Sequence, residues 1–142
     1  MRSSPYPRIL VLLDGTERAE RLLAWVRHLA GGAADRIHLF MVEPAPRAVA
    51  VGGRAVAFAD QLEETVRAAA RAYLEPLAIR LREDGLTVQI HVSFGDAGRI
   101  VRDAVGELRV DLLVLPDDAA RRDLGVLPIP VLTSGPRCPR SA

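Results

Sequence analysis

Five consecutive apolar residues, Ile9-Leu10-Val11-Leu12-Leu13, followed at once by Asp14-Gly15-Thr16, constrain this chain more than any other feature. A strand with one wet face alternates polar and apolar side chains, whereas an unbroken apolar run suits a parallel strand covered by helices on both faces. Asp-Gly-Thr then supplies turn and helix-cap chemistry. The next residues repeat helically: Ala19, Leu22, Leu23, Val26 and Leu29 share a face that Glu17, Glu20, Arg21 and Arg27 avoid. Strand, cap and amphipathic helix are the opening of a βαβ unit.

The pattern continues along the chain. Gly31-Gly32 stops the first helix, and Ile37–Val42 is a second apolar strand closed by Glu43-Pro44-Ala45-Pro46. After a small-residue stretch with Gly52-Gly53, a long helix is expected from near Ala55, with Phe58, Leu62, Val66, Ala69, Tyr73, Leu77 and Leu81 inward. Pro76 inside it is expected to kink it or split off its last turns. Val88, Ile90, Val92 and Phe94 alternate with Thr87, Gln89, His91 and Ser93, a strand with one polar face that belongs at a sheet edge. Asp96 suits the N-cap of a third helix that turns Ile100, Val101, Ala104, Val105 and Leu108 inward. Leu112–Leu115 and Pro130–Thr133 are the last two strands, the latter with proline at its first position, where a missing N–H is tolerated. Strands alternating with helices in this way make right-handed crossovers on a parallel sheet. The 15 residues Pro116–Pro130 leave little space for the final crossover, which takes about a dozen residues in all. The fourth helix is therefore expected to be shortened or absent.

The 142 residues suit one domain, with a core from about 8 to 134 and loose tails at 1–7 and 135–142. With 49% hydrophobic residues and a formal charge of +1, the chain can fill a core and carries no global field for nucleic acid or an anionic membrane. All 19 basic residues are arginine, so a phosphate-binding or Schiff-base lysine is impossible. No asparagine is present to accept a glycan. The single cysteine, Cys138 in a Pro/Arg-rich tail, permits no intrachain disulfide and no cysteine-based zinc cluster. Ile9–Leu13 is too short for a signal-peptide core or a membrane span, so a soluble cytoplasmic protein is expected.

His28, His38 and His91 fall on three different elements without metal-ligand spacing, so no metal is expected. Ser93 and Ser134 lack a nucleophile-elbow context, and no catalytic residue is assigned. The Asp117-Asp118 pair is similar to the acidic site of a phospho-receiver domain, but such a domain needs a lysine that this chain lacks. Trp25 and Tyr73 read as packing residues.

In an open α/β sheet, ligands bind beyond the carboxyl ends of strands, where strand order reverses. Asp14-Gly15-Thr16, Val42-Glu43-Pro44, Gly95-Asp96 and Pro116-Asp117-Asp118 occupy those positions. Asp14 can accept hydrogen bonds from a sugar or base, and Gly15 allows close approach to the backbone. The competing reading is that Asp14 and Thr16 only cap the first helix.

RILVLLDGTERAERLLAWVRHLA, IHLFMVEP, SFGDAGRIVRDAVGELRVDLLVLP and IPVLTS, in this order and spacing, resemble the universal stress protein domain from Arg8 to about Ser134. The resemblance implies a doubly wound α/β fold of the adenine nucleotide alpha hydrolase-like type, its five parallel strands in the order 3-2-1-4-5. It also implies a homodimer formed through the last strand, at Val131 and Leu132, and in some members an ATP or AMP site. In those members an aspartate at the end of strand one and backbone groups at the end of strand two hold the adenosine, positions that correspond here to Asp14 and Val42.

Nucleotide-binding members also carry Gly-x2-Gly-x9-Gly-Ser/Thr after strand four, where bare N–H groups surround phosphate oxygens. This chain has Pro116 there, Asp117 and Asp118 beside it, and just Gly125 before the fifth strand. The expectation is a non-catalytic stress-response module that acts through protein contacts, with tight ATP binding lost and no cofactor. The alternative is an ATP- or AMP-binding member, even a weak ATPase, that uses Asp14, Gly15, Thr16 and Val42 with Arg121 and Arg122 as phosphate contacts.

Overall fold

The computed structural model describes residues 6–30, 36–45 and 58–133. Its elements follow the chain as β1 (Arg8–Leu12), α1 (Glu17–Leu29), β2 (Arg36–Glu43), α2 (Phe58–Glu83), β3 (Thr87–Phe94), α3 (Ala97–Glu107), β4 (Leu112–Leu115), α4 (Asp118–Leu124) and β5 (Val131–Thr133). The strands form one five-stranded sheet in the order β3-β2-β1-β4-β5, every neighbouring pair parallel. This is the expected doubly wound architecture, and α4 is the expected shortened helix, seven residues long.

The apolar run at the start explains why β1 lies in the middle. Ile9, Val11 and Leu13 point to the side of α1 and α2, packing with Leu22, Val26, Leu39, Leu74 and Leu81. Leu10 and Leu12 point the other way, with Phe40, Val101, Val105, Leu113 and Leu124 under α3 and α4. Each fully buried aliphatic side chain contributes about 1.5–3 kcal/mol of transfer free energy. The N-termini of β1 and β4 are tied together, because the Arg8 N–H donates to the Asp111 carboxylate (3.1 Å) and the Asp111 N–H donates to the Arg8 carbonyl (2.8 Å).

Three helices start at side-chain caps. Thr16 accepts from the Ala19 N–H, Asp96 from the Arg99 N–H and Asp117 from the Ala120 N–H. Gly98 has a packing reason: a Cβ there would come within 3.2 Å of the Asp123 carbonyl oxygen, so glycine lets α4 lie close to α3.

Several expectations need correction. Pro76 does not split off the last turns of α2, which runs unbroken for 26 residues. Its buried stripe is Ala70, Leu74, Leu77, Ala78 and Leu81 in the C-terminal half, whereas Leu62 is 44% exposed. Residues 60–69 are all exposed or half-buried, and Thr65, Val66 and Ala69 line an open cleft. Trp25 is not a packing residue. It is 60% exposed on α1, on the face turned away from the sheet. β3 is an edge strand as expected, but its polar face is not fully solvated, since His91 stacks on Phe40. Gly31, Gly32, Gly52, Gly53, the start of the long helix near Ala55, Ser134 and Cys138 lie outside the described residues. Among the described residues, no helix is long and apolar enough to cross a membrane. No group of three or more His, Cys, Asp or Glu is placed there to hold a metal ion.

Candidate functional site

The carboxyl ends of β1 and β2 meet the inner face of α2 in an open cleft of about 360 Å³. Gly15, Met41, Glu43, Thr65, Val66, Ala69, Ala70 and Tyr73 line it. Its walls are mainly apolar, with polar groups near the turn after β1, the balance expected of a small-molecule site.

That turn is built from the predicted residues. Asp14 Oδ1 accepts from the Thr16 N–H (3.0 Å) and the Thr16 hydroxyl (2.6 Å), and Thr16 Oγ1 accepts from the Ala19 N–H (3.2 Å). The capping reading of Thr16 is therefore correct, while Asp14 orients the cap and stays solvent-exposed. Between them Gly15 adopts φ +83°, which an L side chain rarely tolerates. A Cβ at Gly15 would also lie 3.8 Å from Met41 Cε, at the cleft.

Val42 contributes through its backbone. The Phe40 carbonyl accepts from the Leu13 N–H (2.8 Å), and the Glu43 carbonyl accepts from the Gly95 N–H (2.9 Å) on the opposite side. Parallel strands alternate bonding sides residue by residue. Val42, two residues beyond Phe40, thus presents its N–H and C=O along the edge that β1 has already left. Its side chain packs under the other face of the sheet.

Tyr73 closes the cleft wall on α2. Its hydroxyl is buried without a well-aligned hydrogen-bond partner. Burial above all, then the nearby Glu20 and Asp14 carboxylates, raise its pKa far above the ordinary phenol value and keep it protonated. Arg67, next to the cleft residue Val66, already pairs with Glu63 (2.7 Å) and lies over the Phe94 ring (5.2 Å).

The region after β4 differs from the turn after β1. The Asp117 carboxylate accepts the Ala120 N–H at 2.9 Å, so an acidic side chain of the chain itself caps α4. Gly125, at φ +71°, serves as the C-cap of the same helix. Arg121 and Arg122 are exposed in the last turn of α4. Of the predicted residues, Gly15 lines the cleft, Asp14 and Thr16 hold the turn beside it, Val42 lies in β2 between the lining residues Met41 and Glu43, and Arg121 and Arg122 are on a separate helix. Nothing in the sequence marks Met41, Thr65 and Ala70 as cleft residues, while Tyr73 packs against the core as expected and lines the cleft as well. On an amphipathic helix, a residue that faces a cleft and one that faces the core share the same periodicity.

A doubly wound parallel sheet with a cleft at the carboxyl ends of its central strands defines an open, doubly wound α/β domain. The chain belongs to the Universal stress protein family, whose sequence profile matches residues 5–124. It is 27% identical over 119 residues to the universal stress protein Sll1388 of Synechocystis sp., covering 78% of this chain and 77% of that one. The fold is similar to that of hypothetical protein MJ0577, with a TM-score of 0.79 at 17% identity, covering 94% of this chain and 98% of the other. A universal stress family protein of Burkholderia pseudomallei has a TM-score of 0.75 at 23% identity, covering 93% and 98%. One of Arabidopsis thaliana, whose crystal structure has AMP bound, has a TM-score of 0.62 at 15% identity, covering 92% of each chain.

Proposed function

We propose that this chain is a non-catalytic universal stress protein module that acts through protein contacts and has lost tight ATP binding. The Asp117 carboxylate on the Ala120 N–H carries this reading. A backbone donor that a polyphosphate would use is already taken by a fixed carboxylate of the chain, and a triphosphate nearby would meet that charge. The sequence between Pro116 and Pro130 offers Gly125 as its single glycine, which is engaged as a helix cap.

The protein contact begins with a second copy. β5 is a three-residue strand whose Val131 and Leu132 are half-buried, and among the described strands it is the last of the sheet, where a second copy would pair across a two-fold axis.

A second reading, binding of AMP without ATP, is favoured by the open backbone edge at Val42 above an apolar cleft. The AMP-bound Arabidopsis structure supports it as an analogy of fold. The ratio of absorbance at 260 and 280 nm in the purified protein, with mass spectrometry of the denatured supernatant, separates the readings. Absence of nucleotide and no calorimetric response to ATP fit the first. AMP alone fits the second. Stoichiometric ATP overturns both.

A further inference from the structure

His38 and His91, 53 residues apart in the chain, meet across the β2–β3 pair, with His38 Nδ1 3.0 Å from His91 Nε2. Their ring centres are 5.2 Å apart. That is close to the nitrogen–nitrogen distance plus one ring radius at each end, so the two nitrogens point at one another. One ring donates its N–H and the other accepts, and a single proton occupies the gap. A metal ion shared by both would need lone pairs converging on a point about 2 Å from each nitrogen, which head-to-head rings do not offer. His38 is 3% exposed, and His91 stacks on Phe40 with ring centres 4.4 Å apart and planes 20° from parallel. The charges acting on His38 are Arg36 on its own strand, Arg8 on β1 and His91 itself once protonated. All are cationic.

We propose that this pair is an acid-sensitive latch, tying the edge strand β3 to β2 while the rings are neutral and releasing it when both are protonated. The first added proton goes to an outward-facing nitrogen and leaves the bridging hydrogen bond in place. The second puts an N–H on both inner nitrogens, 3.0 Å apart, and places two positive rings beside Arg36 and Arg8. The bond is then lost and the rings part. Burial lowers the pKa of both rings, and that of His38 falls to about 4, so release belongs to acid conditions and not to neutrality. Among the described strands β3 pairs with β2 alone, so its opening is local and does not require the other described strands to separate.

The test is native-state hydrogen exchange on the full chain between about pH 7 and pH 4. Amides of β3 are compared with those of β4 at the same pH, so that intrinsic exchange rates cancel. Protection of Ile90–Ser93 relative to β4 is expected to fall at least tenfold on acidification. In His91→Gln, which can hydrogen-bond but cannot take up a proton, that fall should disappear. Nitrogen-15 spectra of the rings in the unmodified protein should show both neutral at pH 7, with one bridging N–H. These spectra decide the matter if the variant does not fold. Rings that titrate independently near 6.5, protection of β3 that tracks β4 at every pH, or an equal fall in His91→Gln each overturn the latch.

Discussion

Asp14 and Thr16 are joined twice, the carboxylate Oδ1 accepting both the backbone N–H and the hydroxyl of Thr16, and Thr16 in turn caps α1. The turn between them therefore links the stability of the helix to the shape of the cleft.

Thr16→Ala removes the cap itself and should cost about 1 kcal/mol, read as a lower urea midpoint. Asp14→Ala leaves the cap oxygen in place but frees its rotamer, so it should cost less stability. If the protein holds AMP, Asp14→Ala should weaken that binding at least tenfold by calorimetry. Unchanged affinity would remove Asp14 from the site.

Asp117→Ala opens the start of α4. The lost cap should again cost about 1 kcal/mol. If the carboxylate excludes polyphosphate, the affinity for ATP relative to AMP should rise in this variant. Asp117→Ala combined with Asp118→Ala should leave nucleotide binding unchanged or strengthened. Weaker binding in either would place the acidic pair among the ligand contacts.

Val131→Asp places a charge on the outer strand of the sheet. If the chain dimerises through β5 as proposed, this variant should be monomeric at low micromolar concentration, as measured by light scattering. Because Val131 is half-buried against the α3–α4 side of the core, circular dichroism must first show that the variant is folded. An unmodified protein that is already monomeric removes this assignment.

Stability should fall in acid. His38 titrates at 6.5 in an unfolded chain and at about 4 in the fold, so between these values the unfolded state binds more protons. The contribution is complete above about pH 6.5 and declines as pH drops toward 4, by about 1–3 kcal/mol. Urea midpoints at pH 7, 5.5 and 4.5 measure it. His38→Phe, which cannot titrate, should flatten that stretch of the curve even if it lowers the stability at neutral pH.

The local sequence determined the strands, the caps and the helix that had no space to grow. Ile9–Leu13 is apolar at every position because both its faces are buried, and Thr16 and Asp96 cap their helices through hydrogen bonds that span three residues. The short stretch before β5 limits α4 whatever surrounds it. Tertiary structure decided what depends on distant partners. Which stripe of α2 is core and which lines the cleft follows from where the helix crosses the sheet, since periodicity alone puts Leu62 and Leu77 on one face, and only Leu77 is buried. Pro76 stays inside α2, where packing of Leu74, Leu77, Ala78 and Leu81 against the sheet holds the helix on both sides of it. Trp25 is left in solvent because β1 and β2 take the opposite face of α1. His38 and His91 become a pair only through the parallel register that sets Phe40 beside His91, a relation between strands with no trace in the spacing of the two histidines.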